Sequence, residues 1–428
     1  MSGTRGVTDV PYEDALVASG ILSDPFASGR LRFRERPLVL DRAAASELAT
    51  VAERVAYLYD ELVRVVARAP SLLDEFFGLT PCQKAMAEAS LPLWHGIARA
   101  DVFRTSRGLV ITELNSDTPT GEPEAVVTGA LALARNPGLV DPNAGLGDRF
   151  VGTVDALARG TLGADYVPTI GIVYPTDIPE DLSLVRLVES WFVPRGFRVV
   201  TGSPFNLRTC EGGGVSLFGE RVSVVLRHYK TDWWGERIPV WKDEAPFPDP
   251  FPLVEPLETL LSAEALGKVA VVNPFGSVVT QNKRSMALFW ERPSLFSAEA
   301  NAIVRAHVPE TLRLEATFVE QISAEREAWV LKSDYGCESD EVIRGRDVTP
   351  AVWDAALELA LPGRWVVQRA FEAVPEAGGG VVNHGVYVMG GLAAGLYARV
   401  ETMHDDPSDP TGATRHRTDD SVAVLLEP

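Results

Sequence analysis

The chain reads as an α/β protein, and three observations predict that class. Between residues 165 and 270 the stretches YVPTIGIVYP, DLSLVRLVESWFVPRG, FRVVTGS and RVSVVLRHY run strand, helix, strand, strand, a βαβ-like unit with Gly196 as a helix stop. Residues 40–135 are mainly helical: VAERVAYLYDELVRVVARA carries apolar residues at helical spacing, and EAVVTGALALA reads as another helix. The last third is richer in strands and ends on VNHGVYVMG and LAAGLYARVE, two antiparallel strands joined at Gly390 and Gly391 and expected to close the chain. Three segments follow: a mainly helical region over 1–160 that carries one polar strand, an α/β region over 165–270, and a strand-rich region over 271–428. The Pro-rich WKDEAPFPDPFPLVEP before the third cannot be regular structure and reads as a connector or a long loop.

Composition limits the function. A chain of 428 residues, 46% hydrophobic and 23% charged, has the make-up of a globular protein of two or three domains. No stretch approaches ~18 uninterrupted apolar residues, so no membrane span is expected, and MSGTRGVTDVPYEDALVASG lacks a signal-peptide core, which makes the cytoplasm the expected location. Cys82, Cys210 and Cys337 are isolated, against a disulfide framework or structural zinc, and the six histidines form no HExxH. A formal charge of −19 argues against nucleic acid as a partner, because phosphate backbones are bound through clustered Lys and Arg. Any polyanion handled by this protein must meet a local basic pocket.

The first candidate site lies in ITELNSDTPTGEPE at 111–124. Alternation along a strand turns Glu113, Asn115 and Asp117 to one side and Leu114 to the other. Carboxylate and amide oxygens grouped in this way suit Mg²⁺, which prefers hard oxygen ligands and often joins a carboxylate to nucleotide phosphates. Asp101, one short hairpin upstream, is in reach of the same place, and Arg99 shares its side of the strand.

Basic residues recur in the last third. KVAVVNPFGSVVTQNKRSMALFWER runs from a strand through a turn to Asn282 and Lys283 at the start of a helix, where anions are favoured. AWVLKSDYGCESDEVIRG is a strand ending in Lys332, a loop through Gly336 and Ser339, and a second strand; backbone N–H groups of that loop would cover phosphates. The loop 333–341 is expected to order when nucleotide binds. RWVVQRAFEAV is a strand bearing Gln368, and Arg399 is expected to end the last strand. No GxxxxGK[ST] or GxGxxG occurs, so neither a P-loop nor a dinucleotide fingerprint is present.

Taken together, RAD at 99–101, ELNSDTPT at 113–120, NPFGSVVTQNK at 273–283, LKSDYGCES at 331–339, WVVQ at 365–368 and GVYVMGGLAAGLYAR at 385–399 resemble the glutathionylspermidine synthase family of ATP-grasp ligases. In that family the ATP-grasp is circularly permuted, so that the strand bearing metal ligands precedes the lysine-bearing elements, the order found here. The resemblance covers about residues 90–400. It implies a circularly permuted ATP-grasp with a central α/β domain, and ATP and Mg²⁺ as cofactors. It further implies that Asp101, Glu113 and Asn115 hold Mg²⁺, that Lys283, Lys332 and Gly336 meet the phosphates, and that Gln368 lies at the adenine. Arg399 would sit by the γ-phosphoryl group, Arg99 by the acyl phosphate and tetrahedral intermediate, and Thr118 and Thr120 by the carboxylate substrate. One departure is clear: where the family has a GREG-type turn after its lysine, this chain has Cys337 and Ser339 in place of an arginine and a glycine. Cys337 has no histidine near it in sequence and reads as packing rather than as a nucleophile.

The activity implied is ATP-dependent amide formation between a small-molecule carboxylate, an amino acid or peptide, and an amine, through an acyl phosphate. The alternatives are a non-catalytic nucleotide-binding protein and a kinase that stops at the phosphorylated acid.

Overall fold

In the computed structural model the described residues are 10–23, 25–27, 29–178, 181–249, 251, 253–314, 319–336, 341–376, 380–404 and 415–428, without the side chains of 402–404 and 415–419. Cys337 and Ser339, and the centre of the loop expected to order over nucleotide, lie outside them. The fold is mixed α/β, built on three main sheets. No helix among the described residues is long and apolar enough to cross a membrane.

The largest sheet has six strands in the order Phe33–Leu40, Arg415–Leu426, Leu392–His404, Val382–Met389, Ala98–Thr105 and Gly108–Asn115. It draws on both ends of the chain. Its two faces are set by alternation: Ala98, Ala100 and Val102 join the core under the long helix Arg42–Arg68, while Tyr387 and Tyr397 pack on the opposite side with Ala125 of the helix Glu122–Arg135. The long helix forms because Leu48, Val51, Ala52, Val55, Tyr59, Leu62 and Val66 make one apolar stripe, and Asp41 caps its start by accepting from the Ala44 N–H at 2.7 Å.

The expectation that the Gly390–Gly391 hairpin closes the chain is overturned. A third strand, Arg415–Leu426, follows and inserts between Leu392–His404 and Phe33–Leu40, antiparallel to the first and parallel to the second. Its VAVLL run was the available signal. Arg399 does not end its strand either, because the strand continues to His404 with Glu401 hydrogen-bonded to Val381.

The second sheet is parallel, in the order Ala270–Val272, Val224–Arg227, Thr169–Val173, Arg198–Gly202, with the helix Leu182–Phe192 as the crossover between the last two. This is the βαβ unit expected from 165–270, and a three-stranded antiparallel insert over 207–222 sits within it. Among the described residues of the Pro-rich stretch, only its final Val254-Glu-Pro256 is regular, opening the helix Val254–Ala265.

The third sheet is antiparallel: Thr311–Arg313, Trp365–Arg369, Trp329–Ser333, Val342–Arg344. Trp329, Leu331, Trp365 and Val367 pack with Trp353 of the helix Pro350–Ala360. Alternation therefore turns Lys332 and Gln368 to the other face, toward the first sheet.

Candidate active site

The Ala98–Thr105 and Gly108–Asn115 strands form the hairpin that carries the first candidate residues. Arg99 lies opposite Asn115 and Asp101 opposite Glu113, and a bulge immediately after leaves Thr112 unpaired. The four side chains share the face that holds Tyr387 and Tyr397, and Leu114 points into the core as expected. Asp101 is the hub. Its Oδ1 accepts from Arg99 Nε at 2.9 Å and Asn115 Nδ2 at 3.2 Å, and its Oδ2 accepts from Arg399 Nη2 and Asn383 Nδ2, both at 3.0 Å. Burial alone would raise the Asp101 pKa, but the Arg99 and Arg399 guanidiniums outweigh it and hold the carboxyl below its ordinary value. Arg99 is buried too; the desolvation that works against its charge is exceeded by Asp101, and its pKa lies above the usual value.

Two glycines make room for this packing. A Cβ at Gly385 would stand 2.9 Å from Arg99 Cδ and 3.2 Å from Tyr397 Cβ, so a bare backbone is needed beside the arginine stem. Gly121 has φ +99 and lies where a Cβ would meet the Tyr387 hydroxyl at 2.9 Å. It lets the chain turn from Thr120, whose carbonyl accepts from Arg99 Nη1 at 2.6 Å, straight into the helix Glu122–Arg135.

Glu113 faces the segment that carries the first lysine. Lys283 Nζ lies 3.1 Å from Glu113 Oε1 and donates to the Gly336 carbonyl at 2.6 Å. Gln281 donates to Glu113 Oε1 at 3.4 Å while its own Oε1 accepts from the Ser116 and Asp117 N–H groups, which fixes the 273–283 segment against the hairpin end. Lys283 precedes the helix Arg284–Glu291, as its sequence position suggested. Asp334 holds the neighbouring strand end in place: its carbonyl accepts from the Lys283 N–H, and its carboxylate contacts Arg364 at 3.1 Å and Asn282 at 3.3 Å.

Lys332 reaches across the gap between the two antiparallel sheets. Its Nζ donates to Gln368 Oε1 at 2.8 Å and points to the Thr112 carbonyl at 3.4 Å, the residue released by the bulge. Desolvation, with Lys283 and Arg344 nearby, pulls its pKa down to about 8 although Glu113 acts the other way. Gln368 is held by Thr311 Oγ1 at 3.1 Å. On the open side, Arg344 of the small sheet meets Glu401 of the large one at 2.5 Å.

The fold thus brings Arg99, Asp101, Glu113, Asn115, Lys283, Lys332, Gln368 and Arg399 to one gap, with Gly336 at its edge. Thr118 is half-buried below the hairpin end, and Thr120 is exposed and contributes its carbonyl. Asp117 leaves the group. The strand ends at Asn115, alternation ends with it, and Asp117 turns away to pair with Arg227 at 2.5 Å. Asn383, Gln281 and Asp334 were not singled out by the sequence. Only the register of Asn383 against Arg399 makes it a site residue, and no local pattern announces that.

No family model matches this chain, and no curated protein matches it. Among solved structures, a glutathione synthetase-like effector from Globodera pallida in its apo form is similar over 97% of this chain and 95% of its own, at 10% identity and a TM-score of 0.57. A putative gamma-glutamylcysteine synthetase from Methylobacillus flagellatus covers 89% of each chain at 13% identity, and its TM-score of 0.46 is too low for any argument to rest on it. At 10% identity the first likeness establishes a shared fold and nothing finer.

Proposed function

We propose that this chain is an ATP-dependent, ADP-forming carboxylate–amine ligase with a circularly permuted ATP-grasp. The observation that carries the reading is local charge. In a protein of net charge −19, four cations, Arg99, Arg399, Lys283 and Lys332, share one gap with two carboxylates, Asp101 and Glu113. That surplus is suited to a polyphosphate.

The donor types suit Mg²⁺, provided that Asp101 exchanges guanidinium or amide contacts for the ion. Two carboxylates and an amide on adjacent antiparallel positions offer hard oxygens, and Asp101 is kept ionised by its guanidinium partners. Asp101, Glu113 and Asn115 would hold the ion, which when bound would offset phosphate charge. Lys283 would exchange its Glu113 contact for a phosphate oxygen, and Lys332 would do the same from its Gln368 contact. Such an exchange keeps each buried charge paired, where removing a partner outright would be costly. Gln368 would meet the adenine, and Gly336 would lie over the phosphates.

Arg99 is proposed to act on the acid. Beside Asp101, its guanidinium would neutralise the oxyanion that forms when an amine attacks the activated carboxyl, while Thr118 and Thr120 would hold the acid itself. Phosphoryl transfer of this kind depends on positioning and electrostatics and needs no protein nucleophile. The glutathione synthetase-like name of the Globodera pallida structure supports a ligase over a kinase.

The test is ADP release with pooled carboxylates and amines, together with hydroxylamine trapping of any acyl phosphate as a hydroxamate. Hydroxamate formation that requires ATP, Mg²⁺ and an acid is expected. Nucleotide binding without ADP release or hydroxamate for any acid would overturn the ligase and favour a non-catalytic binder; phosphorylated acid that no amine consumes would favour a kinase.

A further inference from the structure

Lys283 and Lys332 are only 5% and 8% exposed, so an anion the size of a polyphosphate reaches their ammonium groups only if one wall of the gap moves. The two edges of the small antiparallel sheet are held in unlike ways. At one edge, Arg313 fixes Thr311–Arg313 to the helix Arg284–Glu291: its side chain donates twice to the Glu291 carboxylate, at 3.0 and 2.8 Å, and its backbone N–H once at 2.7 Å. That helix shares the core of the first sheet. The strand beside it, Trp365–Arg369, runs on into a segment bound to the first sheet, where the Val374 N–H donates to the Arg104 carbonyl at 2.8 Å and Phe371 packs on Phe103.

The opposite edge, Val342–Arg344, meets the first sheet through a side-chain pair. Register sets Arg344 opposite Val330, and Val330 opposite Gln368, so all three face the gap. From there Arg344 Nη2 reaches Glu401 Oε1 at 2.5 Å, two residues beyond Arg399 in the strand Leu392–His404. The arginine keeps 34% exposure and the glutamate 9%, so solvent touches the pair from one side while its two halves belong to different sheets. A partly solvated ion pair is weak beside a backbone ladder, and salt weakens it further.

We propose that Arg344 and Glu401 form a clasp on the outer edge of the gap: while it is made the sheets stay closed over Lys332, and when it parts the small sheet swings about its anchored edge and admits an anion. On opening, water replaces each partner, so parting the pair costs far less than stripping a buried charge outright. Arg344 and Glu401 are positioning residues in this account, acting through the lysine they shield. That the admitted anion is a nucleotide rests on the ligase reading. The clasp itself does not.

The probe is N-acetoxysuccinimide, an uncharged amine reagent, applied to the full chain, with acetylation of Lys332 read by peptide mass spectrometry against the exposed Lys242 and Lys268. Arg344→Met and Glu401→Gln should each acetylate Lys332 about 5–30-fold faster, because a buried amine reacts in proportion to the population of the open state. Charge does not explain such a rise. Burial, with Lys283 and Arg344, holds the Lys332 pKa down, so loss of Arg344 alone would make the amine a poorer nucleophile. The exchanged pair, Arg344→Glu with Glu401→Arg, should restore most of the protection, which a general loosening of the fold would not do. Wild type tests the clasp without any substitution: Lys332 bonds neutral acceptors, Gln368 and the Thr112 carbonyl, so salt raised to about 1 M, where screening acts within ~3 Å, should speed its acetylation and leave the reference lysines unchanged. A salt-independent wild-type rate, wild-type rates in both single variants, or an exchanged pair no better protected than they are would overturn the inference. Mg–ATP should slow the acetylation of Lys332. Salt-sensitive shielding without that protection would sink the nucleotide and spare the clasp; protection with a salt-insensitive rate would do the reverse.

Discussion

Two buried arginine–aspartate centres lie sixteen residues apart on one stretch of chain, and they are built to opposite ends. Around Asp117 everything is closed: its Oδ1 accepts from Arg227 at 2.5 Å and Ser277 at 2.7 Å, and its Oδ2 from the Thr231 N–H at 2.7 Å and hydroxyl at 3.0 Å. The remaining Arg227 donors go to the Asn273 and Tyr229 carbonyls and the Ser277 hydroxyl, and its side chain has no exposure at all. One cation meets one anion there. Around Asp101 two arginines share a single carboxylate, Glu113 and Arg399 keep 22% and 24% exposure, and two lysines stand by. A saturated centre ties the parallel sheet to the hairpin and has nothing left to exchange. A centre with surplus cations and partial access can trade its internal partners for an incoming anion.

This contrast can be broken by substitution, and the largest effect is expected at the open centre. Glu113→Gln removes a charge at nearly constant volume and should abolish turnover, and it should cost less stability than a change at the closed centre because Glu113 is 22% exposed although its partner Lys283 is only 4% exposed. Activity within a few-fold of wild type would remove Glu113 from the metal site. At the closed centre, Asp117→Asn leaves Arg227 buried without its counter-charge and should destabilise the fold by ~3–5 kcal/mol in denaturant unfolding; a loss below ~1 kcal/mol would mean that the two centres are not different in kind.

Arg99 sharpens the comparison by belonging to the open centre while being as buried as its aspartate. Arg99→Ala should lower amide formation by ~10²–10³, and should lower hydroxamate-trapped activation of the acid less. Equal losses in the two assays would mark it as a packing partner of Asp101. Lys332→Met is the smallest: ATP affinity measured by calorimetry should fall by ~1.5–3 kcal/mol. The same variant tests the lowered pKa. With about 8 in the folded protein against 10.5 ordinarily, the fold penalises the charged lysine, fully so below about pH 8 and less and less as pH rises to 10.5. Wild-type stability should therefore gain on that of Lys332→Met across this window, and a constant difference would return Lys332 to an ordinary environment.

Much of this was legible in the chain itself. Helical stripes, the βαβ unit and the Lys332 and Gln368 strands follow from local periodicity, because alternation and 3.6-residue spacing record which side of each element is buried. Hairpin pairing of Asp101 with Glu113 followed from proximity along the chain. Other features depended on distant partners. Asp117 continued the apparent alternation of Glu113 and Asn115, but the strand ended first and Arg227, 110 residues away, claimed its carboxylate. The final strand Arg415–Leu426 found its place only because Phe33–Leu40 offered a parallel edge from the other end of the chain. Composition and local pattern thus determined the class of fold and the kinds of residue available for chemistry. Which carboxylate is sealed in a saturated pair, and which shares its cations with a gap between two sheets, is set by long-range register and desolvation, and only the tertiary structure decides those.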